Sequence, residues 1–144
     1  MRALIQRVSQ AECQVDKKTI SKIKSGLLVF VGFSQTDNSK NVLKMCEKIK
    51  KLRIFEDKDG KTNLSLADVH GEIMVISQFT LYADAANSNR PSFVNALNFK
   101  DANLLYAETI ELLSKDFLTV AGSFGADMQI TLTNSGPFTL ILEN

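Results

Sequence analysis

The run Gly26-Leu27-Leu28-Val29-Phe30-Val31-Gly32 constrains this chain more than any other part of it. Its apolar stretch is too short for a helix and leaves no polar face, so it reads as a central strand covered on both sides. Such a strand needs a layer above it and a layer below. Residues 2–15 alternate loosely, with Leu4, Val8 and Val15 among polar neighbours, as in a strand with an irregularity. Residues 18–24 alternate more clearly through Ile20 and Ile23. Residues 72–81 form a second apolar strand, Ile73-Met74-Val75-Ile76 running into Ser77-Gln78-Phe79-Thr80-Leu81. Residues 53–56 are extended and close in the turn Asp57-Lys58-Asp59-Gly60. A helix runs from Asp37 or Ser39 to about Leu52: Val42, Met45, Cys46 and Ile49 share one face, and Lys40, Lys44, Lys48 and Lys51 the other. A second helix starts near Asp101, whose carboxylate suits a cap, and turns Tyr106, Ile110, Leu113 and Phe117 to the core. Residues 84–89 are small and polar and predict a mobile loop. The tail holds two strand-like runs, 128–133 and 138–142, with Asn134-Ser135-Gly136-Pro137 as a turn between them. The expectation is a single α+β domain over residues 1–144, a mostly antiparallel sheet or partly closed barrel with two main helices.

Charge narrows the function. The net charge of +1 argues against coating long stretches of nucleic acid, which takes many lysine and arginine contacts to phosphate, but leaves room for gripping one end of an RNA. No apolar run approaches the ~20 residues of a membrane helix, and Met1-Arg2-Ala3-Leu4-Ile5 lacks the core of a signal peptide. A cytoplasmic protein with reduced, partly buried Cys13 and Cys46 is expected. No spacing suits a metal, no glycine-rich phosphate loop is present, and no cofactor is implied. The single histidine, His70, precedes Gly71 in a turn. What remains is three features with two readings each. Ser77, Gln78 and Thr80 end an apolar strand, as strand-end caps or as a site. Gly136-Pro137 is an ordinary turn or a functional one. Phe124 and Met128, in Phe124-Gly125-Ala126-Asp127-Met128, are core residues or face a ligand.

Taken together these residues resemble the D-aminoacyl-tRNA deacylase family from end to end. The resemblance lies in Met1-Arg2-Ala3-Leu4-Ile5-Gln6-Arg7-Val8, Gly26-Leu27-Leu28-Val29, Leu52-Arg53-Ile54-Phe55-Glu56-Asp57, Arg90-Pro91-Ser92-Phe93 and the Phe124–Met128 stretch. Its two defining motifs are Ser77-Gln78-Phe79-Thr80-Leu81 and the Gly136-Pro137 pair. Ser135 stands where an acidic residue is common in the family, and Phe138 where a smaller apolar one is.

The resemblance implies a homodimeric ester hydrolase, without metal or cofactor, that frees tRNA from D-amino acids as a proofreading step. Its partner is the acceptor end of aminoacyl-tRNA, not DNA or a membrane. Backbone N–H groups around Gln78, Phe79 and Thr80, beside Ser77, would face the substrate carbonyl, and Phe124 and Met128 would lie near the terminal adenine. Gly136 and Pro137 would enter the partner subunit's site and block an L side chain, so that glycyl-tRNA, with no side chain, is also cleaved. Thr80 is expected to order the site rather than attack. Three rivals stay open: a related deacylase of L-alanyl-tRNA, a noncatalytic RNA-binding barrel, and a thiol-dependent hydrolase using Cys13 or Cys46.

Overall fold

A computed structural model describes residues 1–86 and 88–144. Part of the loop expected at 84–89, namely Asn87, lies outside the described residues. The chain forms β1 (Arg2–Val15), β2 (Lys18–Ile23), β3 (Gly26–Gly32), α1 (Ser39–Lys50), β4 (Arg53–Glu56), β5 (Thr62–Ser65), β6 (Glu72–Ser77), a 3₁₀ turn (Phe79–Tyr82), α2 (Phe99–Ser114), β7 (Thr119–Ala121) and β8 (Gln129–Glu143).

β1 organises the sheet because it is long enough to serve three partners. Its first half runs antiparallel to β3, from Arg2 opposite Gly32 to Val8 opposite Gly26. Its second half leaves β3 and pairs with β2. β8 lies antiparallel along the whole of its other edge. Two joints are parallel, β3 with β6 and β6 with β7. The expected antiparallel sheet is therefore present with a parallel side. Parallel neighbours need a long crossover, and α1 with the β4–β5 hairpin, then α2, provide the two.

The central run is buried on both faces, as its composition requires. Leu27, Val29, Val31, Ile73 and Val75 point into one cluster with Met45, Cys46 and Ile49 of α1 and Tyr106 and Leu113 of α2. Leu28, Met74 and Ile76 point the other way, against Val8, Ala11 and Cys13 of β1 and Ile23 of β2. The bent β1 carries β2 and the start of β8 over this second face, which gives the partly closed barrel.

Both helices start where side chains satisfy their first N–H groups. Asn38 accepts from Lys40 N at 3.0 Å while Asn41 Oδ1 accepts from Asn38 N at 3.1 Å, a reciprocal cap. In α2 the cap is Asn98, which accepts from Asp101 N at 3.1 Å. Asp101 thus sits in the first turn, where the helix dipole favours a carboxylate, and is not the cap. Among the described residues no helix is long and apolar enough to cross a membrane.

Candidate active site

The strand expected over 72–81 stops at Ser77. Gln78 N–H donates to Val31 O at 2.7 Å and closes the ladder with β3. Leu81 N–H then reaches back to Gln78 O and Ala83 N–H to Thr80 O, winding 79–82 into a 3₁₀ turn. The first N–H groups of any helical turn have no partner within it. Here those of Phe79 and Thr80 find no acceptor elsewhere among the described residues. Gln78 Nε2 donates to Thr80 Oγ1, so an amide holds the threonine hydroxyl.

Beside this turn lies a pocket of about 550 Å³, within the range that holds a small organic ligand. Ile76, Phe99, Phe124, Met128 and Ile130 form its walls, and Ser77, Gln78, Phe79 and Asp127 its rim. Phe124 meets Phe99 edge-on at 4.9 Å and Tyr106 at 5.5 Å. The Tyr106 hydroxyl lies 2.8 Å from Val75 O and 3.1 Å from Gly122 O, tying α2 to the end of β6 and to the segment that carries Phe124. Burial pushes that phenol well above its usual range, so it remains a neutral donor.

Asp127, which is exposed, is the one ionisable side chain lining the pocket. Both cysteines are buried and free. Burial raises the Cys13 thiol and pushes Cys46 up to about 12, so neither offers a thiolate near neutral pH. That removes the thiol-dependent rival. His70 sits exposed in the turn before β6, at the far end of that strand from Ser77.

The tail departs most from its sequence reading. Residues 134–137 are not a turn between two strands: β8 runs continuously along β1 and bulges there. Val8 pairs with Asn134 and Gln6 with Thr139, so a short step on β1 faces a long one on β8 and the intervening residues leave the ladder. Asn134 folds over the gap, its Oδ1 accepting from Phe138 N at 2.7 Å and its Nδ2 donating to Thr139 Oγ1 at 2.9 Å. The Gly136–Pro137 peptide is cis, and Gly136 has φ +128°, a conformation open to glycine.

Arg7 anchors the bulge from beneath. Its guanidinium is buried and donates to Ser135 O at 2.8 Å and to Ile54 O at 2.7 Å, with Phe138 packed over it at 5.2 Å. A Cβ on Gly136 would stand 2.4 Å from Arg7 Nη2. Local sequence pattern does not mark Arg7 as a functional residue. Its signal is a charge continuing the inward-facing series of Ala3 and Ile5.

The structure thus brings Ser77, Gln78 and Phe79 together with Phe124 and Met128, and sets Thr80 in the adjoining turn. It also adds Phe99 and Asp127, which composition did not single out. Gly136 and Pro137 lie elsewhere. They sit beside Arg7, which pairs across β1 and β3 with the start of β6, while Ser77 ends β6. Two strands and four register steps intervene, roughly 20 Å along the sheet diagonal at ~3.3 Å per residue and ~4.8 Å per strand.

A curled sheet backed by two helices, with an apolar pocket at a strand end beside two main-chain N–H groups that find no acceptor among the described residues, defines a small α+β protein. The family profile described as D-Tyr-tRNA(Tyr) deacylase matches residues 4–143. D-aminoacyl-tRNA deacylases from Lactobacillus gasseri and Clostridium novyi are similar to this chain at 49% and 46% identity, over 99% and 100% of it and 99% and 97% of their own lengths. A solved structure described as c-Myc DNA Unwinding Element Binding Protein superposes with a TM-score of 0.95 at 38% identity, covering 100% of this chain and 99% of that one. A second, described as a probable eukaryotic D-amino acid tRNA deacylase, shares the fold with a TM-score of 0.86 at 14% identity, covering 98% and 97%. The chain belongs to the D-Tyr-tRNA(Tyr) deacylase family.

Proposed function

We propose that this enzyme hydrolyses the ester joining a D-aminoacyl group to the terminal ribose of tRNA, and that it selects by excluding L side chains. The observation that carries the reading is the pair of N–H groups, Phe79 and Thr80, that find no partner among the described residues, in the turn beside an apolar pocket whose one ionisable lining side chain is Asp127. An aminoacyl ester is already activated. It needs a held carbonyl and a place for the oxyanion, and one such donor is typically worth about 3 kcal/mol of barrier. The Gln78 N–H, expected to share this role, is spent on Val31 O, so the donors are the two that follow it. Phe124 and Met128 offer an apolar surface to the terminal adenine, while Ser77 and Gln78 shape the rim.

Exclusion of the L enantiomer falls to Gly136 and Pro137 of a second copy. The in-chain separation supports this: two motifs that far apart can serve one pocket only if different subunits supply them, which a two-fold dimer does reciprocally. A backbone wall is stiffer than a side chain, so it rejects by shape. Proofreading of this kind belongs in the cytoplasm with its tRNA substrate.

With purified protein, D-tyrosyl-tRNA and glycyl-tRNA are expected to lose their amino acids while L-tyrosyl-tRNA persists. A clash of about 4 kcal/mol corresponds to a preference of ~10³. Release of labelled amino acid from matched D, L and glycyl substrates measures it. Equal D and L rates, or intact glycyl-tRNA beside rapid D cleavage, contradict exclusion.

Thr80→Ala is expected to keep deacylation within about threefold, because the partner of the hydroxyl is the Gln78 amide, which donates and cannot take up a proton. A neighbouring ribose hydroxyl assists the attacking water instead. Complete loss of activity, with an acyl group trapped on Thr80 in the unaltered enzyme, would make Thr80 the nucleophile.

A further inference from the structure

The lysine face of α1 is a charged feature that the pocket does not use. Residues 39–51 hold five lysines, Lys40, Lys44, Lys48, Lys50 and Lys51, and one acid, Glu47. Since the whole chain is only +1, everything outside this stretch is net negative. Lys50 and Lys51 are engaged with Glu47 and, for Lys50, Asp116. Lys40, Lys44 and Lys48 have no carboxylate within ion-pair distance among the described residues, and all three are exposed. Spaced four apart, they fall within one ~80° arc opposite the buried Val42, Met45, Cys46 and Ile49, and step along the axis by ~6 Å each.

The position of the helix matters as much as its charge. β3 ends beside Ser77, with Val31 opposite it. α1 begins a few residues later, so Lys40 in its first turn starts at the same end of the sheet as the catalytic pocket, and Lys44 and Lys48 lead away from it. Beyond Lys40 the ladder borders a depression of about 420 Å³ between α1 and the end of β8, lined by Lys44, Lys48 and Lys51 with Leu142 and Asn144. Its two acids are occupied, Glu143 by Arg2 at 2.7 Å and Glu47 by the neighbouring lysines.

We propose that Lys40, Lys44 and Lys48 form a track for the phosphate backbone of the acceptor stem whose 3′ end enters the pocket. This rests on the deacylase reading above. A cationic ladder that starts at the pocket's end of the sheet and runs outward fits a polyanion held at one end. An otherwise acidic chain would repel RNA approaching elsewhere, so the track also orients it.

The test compares two substrates. D-tyrosyl-tRNA carries the stem; the D-tyrosyl ester of adenosine carries the reactive bond without a phosphate. In a Lys40→Gln/Lys44→Gln/Lys48→Gln variant, kcat/KM for the tRNA relative to the adenosine ester is expected to fall at least tenfold. The slope of log KM for the tRNA against log salt is expected to flatten by about 2, given ~0.7–0.9 per phosphate contact. Lys44→Glu alone should move both readings in the same direction. A triple variant with the wild-type substrate ratio and salt slope makes the ladder a solvated face and overturns the proposal. Wild-type protein that cleaves neither ester overturns the deacylase reading and the track with it; cleavage of both esters with no difference in the variant overturns the track alone.

Discussion

Arg7→Ala is expected to lower stability by about 3 kcal/mol and to remove most deacylation of D-tyrosyl-tRNA. The guanidinium donates two short bonds to main-chain oxygens, Ser135 O and Ile54 O. Bonds to a charged group are worth ~1.5–3 kcal/mol each, and deleting the donor leaves carbonyls unpaired. The face of Phe138 adds ~0.5–1 kcal/mol. The ion pair with Glu56 is long, at 3.4 Å, and its carboxylate is largely exposed, so it adds little. A denaturant melt should show the loss, equivalent to a fall of roughly 10 °C in Tm for a chain this size. Arg7→Lys should recover only part of it, because one ammonium cannot reach β4, the bulge and the Phe138 ring from a single planar fork. The activity should fall further than the stability, since the element released carries Gly136 and Pro137. An Arg7→Ala protein with unaltered melt and D-specific activity would mean that Asn134 alone holds the bulge.

Gly26→Ala is expected to have the largest effect on folding, leaving little or no soluble protein. A Cβ at residue 26 would lie 1.9 Å from Glu72 O and 2.7 Å from Glu72 N. Main chain cannot swing aside as a side chain does, so β3 and β6 would have to part where their parallel ladder begins. Both hydrophobic clusters draw on these two strands. The cost belongs with the exceptional substitutions, above about 4 kcal/mol. Gly60→Ala is the control: its φ is +74° but a Cβ there meets nothing within 4 Å, so only the local conformational cost of ~1–2 kcal/mol applies. Soluble expression and thermal melts of the two variants separate close approach from backbone conformation. A Gly26→Ala protein as stable as Gly60→Ala would refute the close-approach argument.

Much of the scaffold is legible in the chain because burial leaves a periodic trace. The unbroken apolar run of β3 predicts two covers and has them; the i, i+3, i+4, i+7 pattern of α1 predicts its buried face. Strand order leaves no such trace. The apolar run of β6 predicts burial on both faces but does not name β3 as its parallel neighbour. The stop at Ser77 depends on a tertiary bond from Gln78 to Val31, invisible in a sequence where Phe79 and Leu81 extend the alternation. Asn98 and Asp101 are both good caps, and their spacing lets one cap the other's N–H.

The candidate site divides in the same way. Ser77 to Thr80 stand out as polar residues at the end of an apolar strand, and Phe124 and Met128 come with the family resemblance. Asn134-Ser135-Gly136-Pro137 has the local chemistry of a turn, and without knowing that β1 passes unbroken beneath it no reading could prefer a bulge. Arg7 looks like one more polar residue in a loosely alternating strand until its carbonyl partners are in place.

The bulge also stands at a corner. Before it, Ile130 and Leu132 of β8 pack into the cluster under the second face of the sheet; after it, Phe138, Leu140 and Leu142 pack into the cluster under the helices. A single strand is re-aimed from one core to the other by the residues that leave the ladder. The tip that would choose between mirror-image substrates is therefore also a joint of the architecture. Lineages exploring a new specificity here can sample only those tips that still let the strand turn the corner, so selectivity at this position should evolve in the flanks of the bulge, Ser135 and Phe138, before it evolves in the Gly136-Pro137 tip.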